Sequence, residues 1–122
     1  MGSTTFSGPV TSTNGFIGTI SGAVKGDVQT VTTSTAANIT TLSTVMAPPG
    51  AGNLAITLAD GYAGQLKILT VSSTGGGSAV VTPTTFANGT TLTFNAAADT
   101  CMLLFVATVG WTLVSDRSVT VA

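Results

Sequence analysis

The chain has 122 residues, 43% of them apolar and only 6% charged, with a formal net charge of −1. An average globular domain is about 25% charged, so hydroxyl groups must carry much of this surface, and about one residue in five is Thr. This balance lacks the basic patch that nucleic acid requires and the positive charge that docks a protein on an anionic membrane.

The length suits one domain, which at this size buries roughly 65–70% of the unfolded chain's surface. The apolar content is too high for a disordered chain. A surface so poor in charge is weakly protected against association. It predicts an assembly in which subunits cover one another's uncharged surface.

Residues 1–26 read as an extended N-terminal arm, and residues 27–122 as the folded domain. The arm shows no sustained period of 2 or 3.6, and Gly8-Pro9 and Asn14-Gly15 are turn signals. Phe6, Val10, Phe16 and Ile17 are nevertheless large apolar groups, spaced as anchors along an extended strand. With Pro9 they form the candidate interface to a neighbouring subunit, the plainer alternative being a frayed N-terminus. Met1-Gly2-Ser3-Thr4-Thr5 has neither the basic region nor the apolar stretch of a secretory signal.

From Val28 the β pattern is steady. Val28–Thr33 predicts a short polar strand, and the β-branched content of Ile39–Val45 predicts another. Met46–Asn53 contains Pro48 and Pro49, which exclude both helix and ladder, and reads as a loop. Leu54–Leu58 alternates cleanly and Asp60-Gly61 closes it with a turn. Gln65–Val71 follows, with Leu66, Ile68 and Thr70 on one face and Lys67, Leu69 and Val71 on the other. Gly75-Gly76-Gly77 then suggests a hairpin tip leading to Ala79–Thr82, which Pro83 ends. Thr91–Phe94 alternates after the turn at Phe86–Thr90.

Cys101-Met102-Leu103-Leu104-Phe105-Val106 is the longest unbroken apolar run, too short for the roughly 20 residues that cross a bilayer as a helix. Joined through Gly110 to Trp111–Ser115, it predicts a β-hairpin that forms the floor of the core, with Trp111 as its lid. Ser118–Val121 adds an edge strand. Eight to ten short strands with regular turns predict an all-β fold, a single antiparallel β-sandwich of jelly-roll type.

Catalytic chemistry finds no footing. The chain has no His and one Cys, so it offers neither the commonest general base nor a zinc framework or disulfide. Asp60, Asp99 and Asp116 read as turn residues rather than a catalytic pair. Gly75-Gly76-Gly77 lacks the lysine and helix of a phosphate loop. Asn38-Ile39-Thr40 and Asn88-Gly89-Thr90 match a glycosylation sequon by coincidence in a Thr-rich chain. Cys101 reads as a small buried core residue. No catalytic residue, cofactor or metal is expected. Tyr62, Trp111 and the Thr-rich loops supply an alternative, a shallow glycan-binding site.

Two stretches carry a family resemblance. Thr5-Phe6-Ser7-Gly8-Pro9-Val10-Thr11-Ser12-Thr13-Asn14-Gly15-Phe16 resembles the N-terminal segments of tailed-bacteriophage structural proteins. Gly64–Ile68, Val80–Pro83, Thr90–Phe94 and Gly110–Ser115 together resemble a β module of phage head-decoration and fibre proteins. The resemblance implies a non-enzymatic virion protein, a cement or decoration protein bound as a homotrimer to the major capsid protein on the outer capsid surface. The chain shows neither a collagen-like repeat nor a coiled-coil stalk, which favours a compact decoration protein over a fibre subunit.

Overall fold

The computed structural model describes residues 2, 4–9, 11, 13, 19, 21–23 and 25–122. Ten strands follow in order: β1 (Val28–Val31), β2 (Thr35–Ala36), β3 (Ser43–Met46), β4 (Leu54–Leu58), β5 (Leu66–Val71), β6 (Ala79–Pro83), β7 (Leu92–Phe94), β8 (Thr100–Val106), β9 (Gly110–Arg117) and β10 (Thr120–Val121). There is no helix among the described residues. The strands form two five-stranded sheets, in the orders β1-β3-β5-β8-β9 and β10-β7-β6-β4-β2. The domain is an all-β sandwich.

Its pairing corrects the expectation of a wholly antiparallel, jelly-roll arrangement. From β1 to β6 the chain changes sheet at every strand, and β1, β3 and β5 lie parallel, as do β2, β4 and β6. A parallel neighbour requires a crossover, and here the crossover is a strand of the opposite sheet. The path is therefore a coil of three rungs. Its second and third rungs keep one offset of 25 residues in both sheets, pairing Ser43 with Ile68 and Ile56 with Val81. After β6 the winding reverses. β7 runs antiparallel to β6, β8 to β5, β9 to β8 and β10 to β7.

The coil explains why Gly75-Gly76-Gly77 is not a hairpin tip. It carries the chain from β5 in one sheet to β6 in the other, pressed against the β3–β4 loop of the rung before. A Cβ on Gly75 would stand 2.6 Å from Pro48 O, and one on Gly77 would strike the carbonyls of Gly50 and Gly52. These glycines permit close backbone approach.

The remaining elements follow local chemistry. Asn38 Oδ1 accepts from Thr40 N and Thr40 Oγ1, and Thr41 N donates to Asn38 O. This Asx turn uses up residues 38–41, so β3 begins only at Ser43, later than the β-branched composition suggests. β8 and β9 form the expected hairpin, with Val114 inserted as a bulge between the pairs Leu103–Leu113 and Met102–Ser115.

Alternation fills the interior. Leu54, Ile56 and Leu58 of β4, Leu69 and Val71 of β5, Leu92 and Phe94 of β7, and Leu103 and Phe105 of β8 form one buried cluster with Met46, Cys101 and Trp111. Trp111 is fully buried, packs edge-on against Phe105 at 5.2 Å between ring centroids, and donates Nε1–H to Ala59 O at 2.9 Å. Satisfying the indole N–H is what allows so large a ring to be buried whole.

Candidate functional site

Among the described residues no group of three or more His, Cys, Asp or Glu comes together to hold a metal ion. The carboxylates serve structure. Asp99 is buried, and its Oδ2 accepts from Asn95 N and Ala96 N, both at 2.8 Å, closing the turn before β8. Asp60 Oδ2 accepts from Thr85 Oγ1, and Asp116 Oδ1 accepts from Val119 N. Asp116 lies on β9 rather than in a loop. Cys101 is buried, as expected, and its thiol is pushed up to about 12, first by desolvation and then by the neighbouring charge of Asp116. Such a thiol is a poor nucleophile.

Lys67 is the residue that sequence reasoning missed. Its face of β5 is the inner one, and the side chain is fully buried. The ammonium donates to Asn38 O at 2.8 Å, Thr41 O at 2.9 Å and Thr41 Oγ1 at 3.0 Å. Three donors meet three oxygens, the condition under which a buried charge is tolerated. Burial lowers its pKa to about 8. The signals for this clamp were the shared strand face of Lys67, Leu69 and Val71 and the polar Asn38–Thr41 turn that supplies its acceptors.

The first sheet carries larger apolar groups on its outer face than the second. On the second sheet, the outward positions of β4, β6 and β7 are Ala55, Thr57, Val80, Thr82 and Thr93. The outward positions of the first sheet are mixed: Val28, Val45, Ile68, Met102 and Leu104, with Leu66 at one end, stand among Thr30, Ser43, Thr70 and Thr100. Val28 is 58% exposed and Leu66 45%. A recess of about 250 Å³ opens on this face, lined by Ile68, Met102, Thr100, Ser115 and Arg117 among others. A second, of about 320 Å³, lies at the loop end between Thr32–Ser34 and Pro49–Leu54.

The predicted interface residues divide. Phe6 is 69% exposed and Pro9 is exposed. Val10, Phe16 and Ile17 lie outside the described residues. Of the two aromatics weighed for a glycan, Trp111 is sealed in the core and Tyr62 stands alone, 74% exposed.

Comparison with protein-family models, with curated proteins and with solved structures finds no match.

Proposed function

We propose that this is a non-enzymatic structural protein of a phage virion, a decoration protein that binds the major capsid protein on the outer surface as a homotrimer. In this reading the arm bridges neighbouring subunits and the sandwich is the rigid body it tethers. The observation that carries it is the pairing of a charge-poor sandwich, with large apolar groups such as Val28 and Leu66 exposed on one sheet, with an arm that presents Phe6 to solvent. Large apolar groups exposed on both the arm and the sheet favour a macromolecular partner. The virion itself enters through the resemblance of residues 5–16 and of the strands from Gly64 to Ser115.

A buried aromatic or aliphatic anchor contributes about 1.5–3 kcal/mol before ordering costs. A closed threefold repeats that contribution through avidity. The alternative, a fibre or receptor-binding module, would have to bind glycan through Tyr62 without Trp111.

Co-sedimentation with capsids that lack this protein is the test. Saturable binding at a multiple of three copies per lattice position is expected, and deletion of residues 2–18 should abolish it. No binding to capsids would overturn the reading, and saturable binding on a glycan array would replace it with the receptor-binding one.

A further inference from the structure

The two sheets have four edges, and three of them are blunted. β9 is covered along its first half: Trp111 N donates to Thr85 O, Ala87 N to Trp111 O, and Leu113 N to Asn88 Oδ1. Its second half carries the Val114 bulge and then Asp116 and Arg117. Bulges and charges are the usual devices that stop a sheet edge from pairing. β10 is only two residues long. β2 is equally short, and the Gln29 side chain reaches from the opposite sheet to cap it. Gln29 Nε2 donates to Ala36 O, while Gln29 Oε1 accepts from Asn38 N.

Among the described residues β1 has no such protection. Ser43 N donates to Asp27 O and Ala47 N to Val31 O, so odd-numbered residues of this strand face β3. In a strand the direction alternates, and the backbone N–H and C=O of Val28 and Thr30 therefore point away from the sheet. Both residues are exposed, and no described residue pairs with them. Val28-Gln29-Thr30-Val31 carries no charge, no Pro and no bulge. It is also the first rung of the coil, and the coil's other end is closed by antiparallel β7 to β10. Stacked-rung folds require a cap at each end.

We infer that the β1 edge receives the extended arm of a second copy of this chain, which adds to the first sheet as a sixth strand. Three properties of the arm fit the site. Before Lys25 it carries no charged side chain to desolvate against an uncharged edge. Phe6 is covered by none of the described residues, being 69% exposed. At about 3.3 Å per residue, residues 1–26 reach roughly 85 Å when extended, beyond the diameter of a sandwich this size. Strand addition takes its affinity from main-chain hydrogen bonds and its register from alternate side chains. The contact is heterologous, since the arm of one copy meets the edge of the next, and it closes into a ring where the rotation between copies allows. The inference rests on the proposed function only in reading residues 1–26 as an arm, and it needs no capsid.

The test is sedimentation velocity of the full chain, without capsids, over a wide concentration range. Thr30→Pro removes one outward N–H and leaves every ladder bond of β1 in place. Val28→Lys adds a charge to the same edge. Phe6→Asp alters the arm alone. The unaltered chain should assemble, and each variant should lose the assembled species while keeping the fluorescence of buried Trp111. An equimolar mixture of Thr30→Pro and Phe6→Asp chains should recover a 1:1 complex, because one retains an arm and the other an edge. A monomeric parent, or assembly that survives Thr30→Pro and Val28→Lys, overturns the inference. Failure of the mixture to recover overturns the arm as occupant, and points to edge-on-edge pairing of two β1 strands. Capsid binding by a chain that stays monomeric leaves the proposed function standing and removes only this inference.

Discussion

Lys67 sits in the interior with its ammonium on three oxygens of the Asn38–Thr41 turn. Its pKa falls from an ordinary 10.5 to about 8 on burial. Between those values the unfolded chain holds a proton that the folded chain has released. Unfolding free energy therefore rises with pH across that window, and below about pH 8 the full cost of the buried charge is present. Cys101 works the other way. Its thiol is raised from 9.0 to about 12, so above pH 9 it makes the fold less stable as pH rises. Urea unfolding from pH 7 to pH 9 isolates the lysine when the chain is compared with Lys67→Met. The parent should gain stability over the variant's trend, and an identical slope in both would show that the ammonium is not titrating there. Trp111 gives a second test at this scale. Trp111→Ala removes a fully buried ring and leaves Ala59 O without its donor, a loss of about 3–5 kcal/mol readable in the urea midpoint. A loss well under that range would mean the cavity collapses.

At the scale of elements, the stacked loops join successive rungs of the coil. Gly77 lies where a methyl group would meet the Gly50 and Gly52 carbonyls, whereas nothing stands within 4 Å of a Cβ on Gly52. Gly77→Ala should cost about 1–3 kcal/mol by forcing the loops apart, with Gly52→Ala as the near-neutral control. Equal effects in thermal melts would place the strain elsewhere. These loops are also where sequence and structure part. β4 and β7 were readable because Leu54, Ile56 and Leu58, then Leu92 and Phe94, alternate with small or polar residues, and the β8–β9 hairpin because its apolar run is bounded by turns. Alternation reports that one face is buried and says nothing of the partner's direction. Parallel sheets are usually covered on both faces and read as continuous apolar runs. Here each has one open face, so β1 to β6 look like antiparallel strands. Gly75-Gly76-Gly77 has a hairpin's composition but crosses between sheets. Among the expected interface residues, Phe6 and Pro9 are exposed. The β1 edge, by contrast, follows from pairing that no single sequence prints.

For the whole molecule, the reversal of winding after β6 decides how stability is shared. The three-rung coil does not own a separate core. Leu69 and Val71 of β5 and Val81 of β6 lie in the same buried cluster as Leu92, Phe94, Leu103 and Phe105 from the antiparallel half. β8 pairs along β5 from Leu66 to Thr70, and β7 pairs along β6 from Ala79 to Val81. Removing the second half would expose both the third rung's edges and its packed face. The two windings should therefore unfold as one cooperative unit. Trp111 reports on β9, and far-UV circular dichroism reports on all ten strands, seven of which precede the β8–β9 hairpin. Urea transitions followed by the two probes should coincide in midpoint and slope. A dichroism change that lags behind the fluorescence change would show the coil surviving alone, as a repeat array with its own stability. In that event the antiparallel strands would be a detachable cap. Coincidence makes them the wall against which the coil is built.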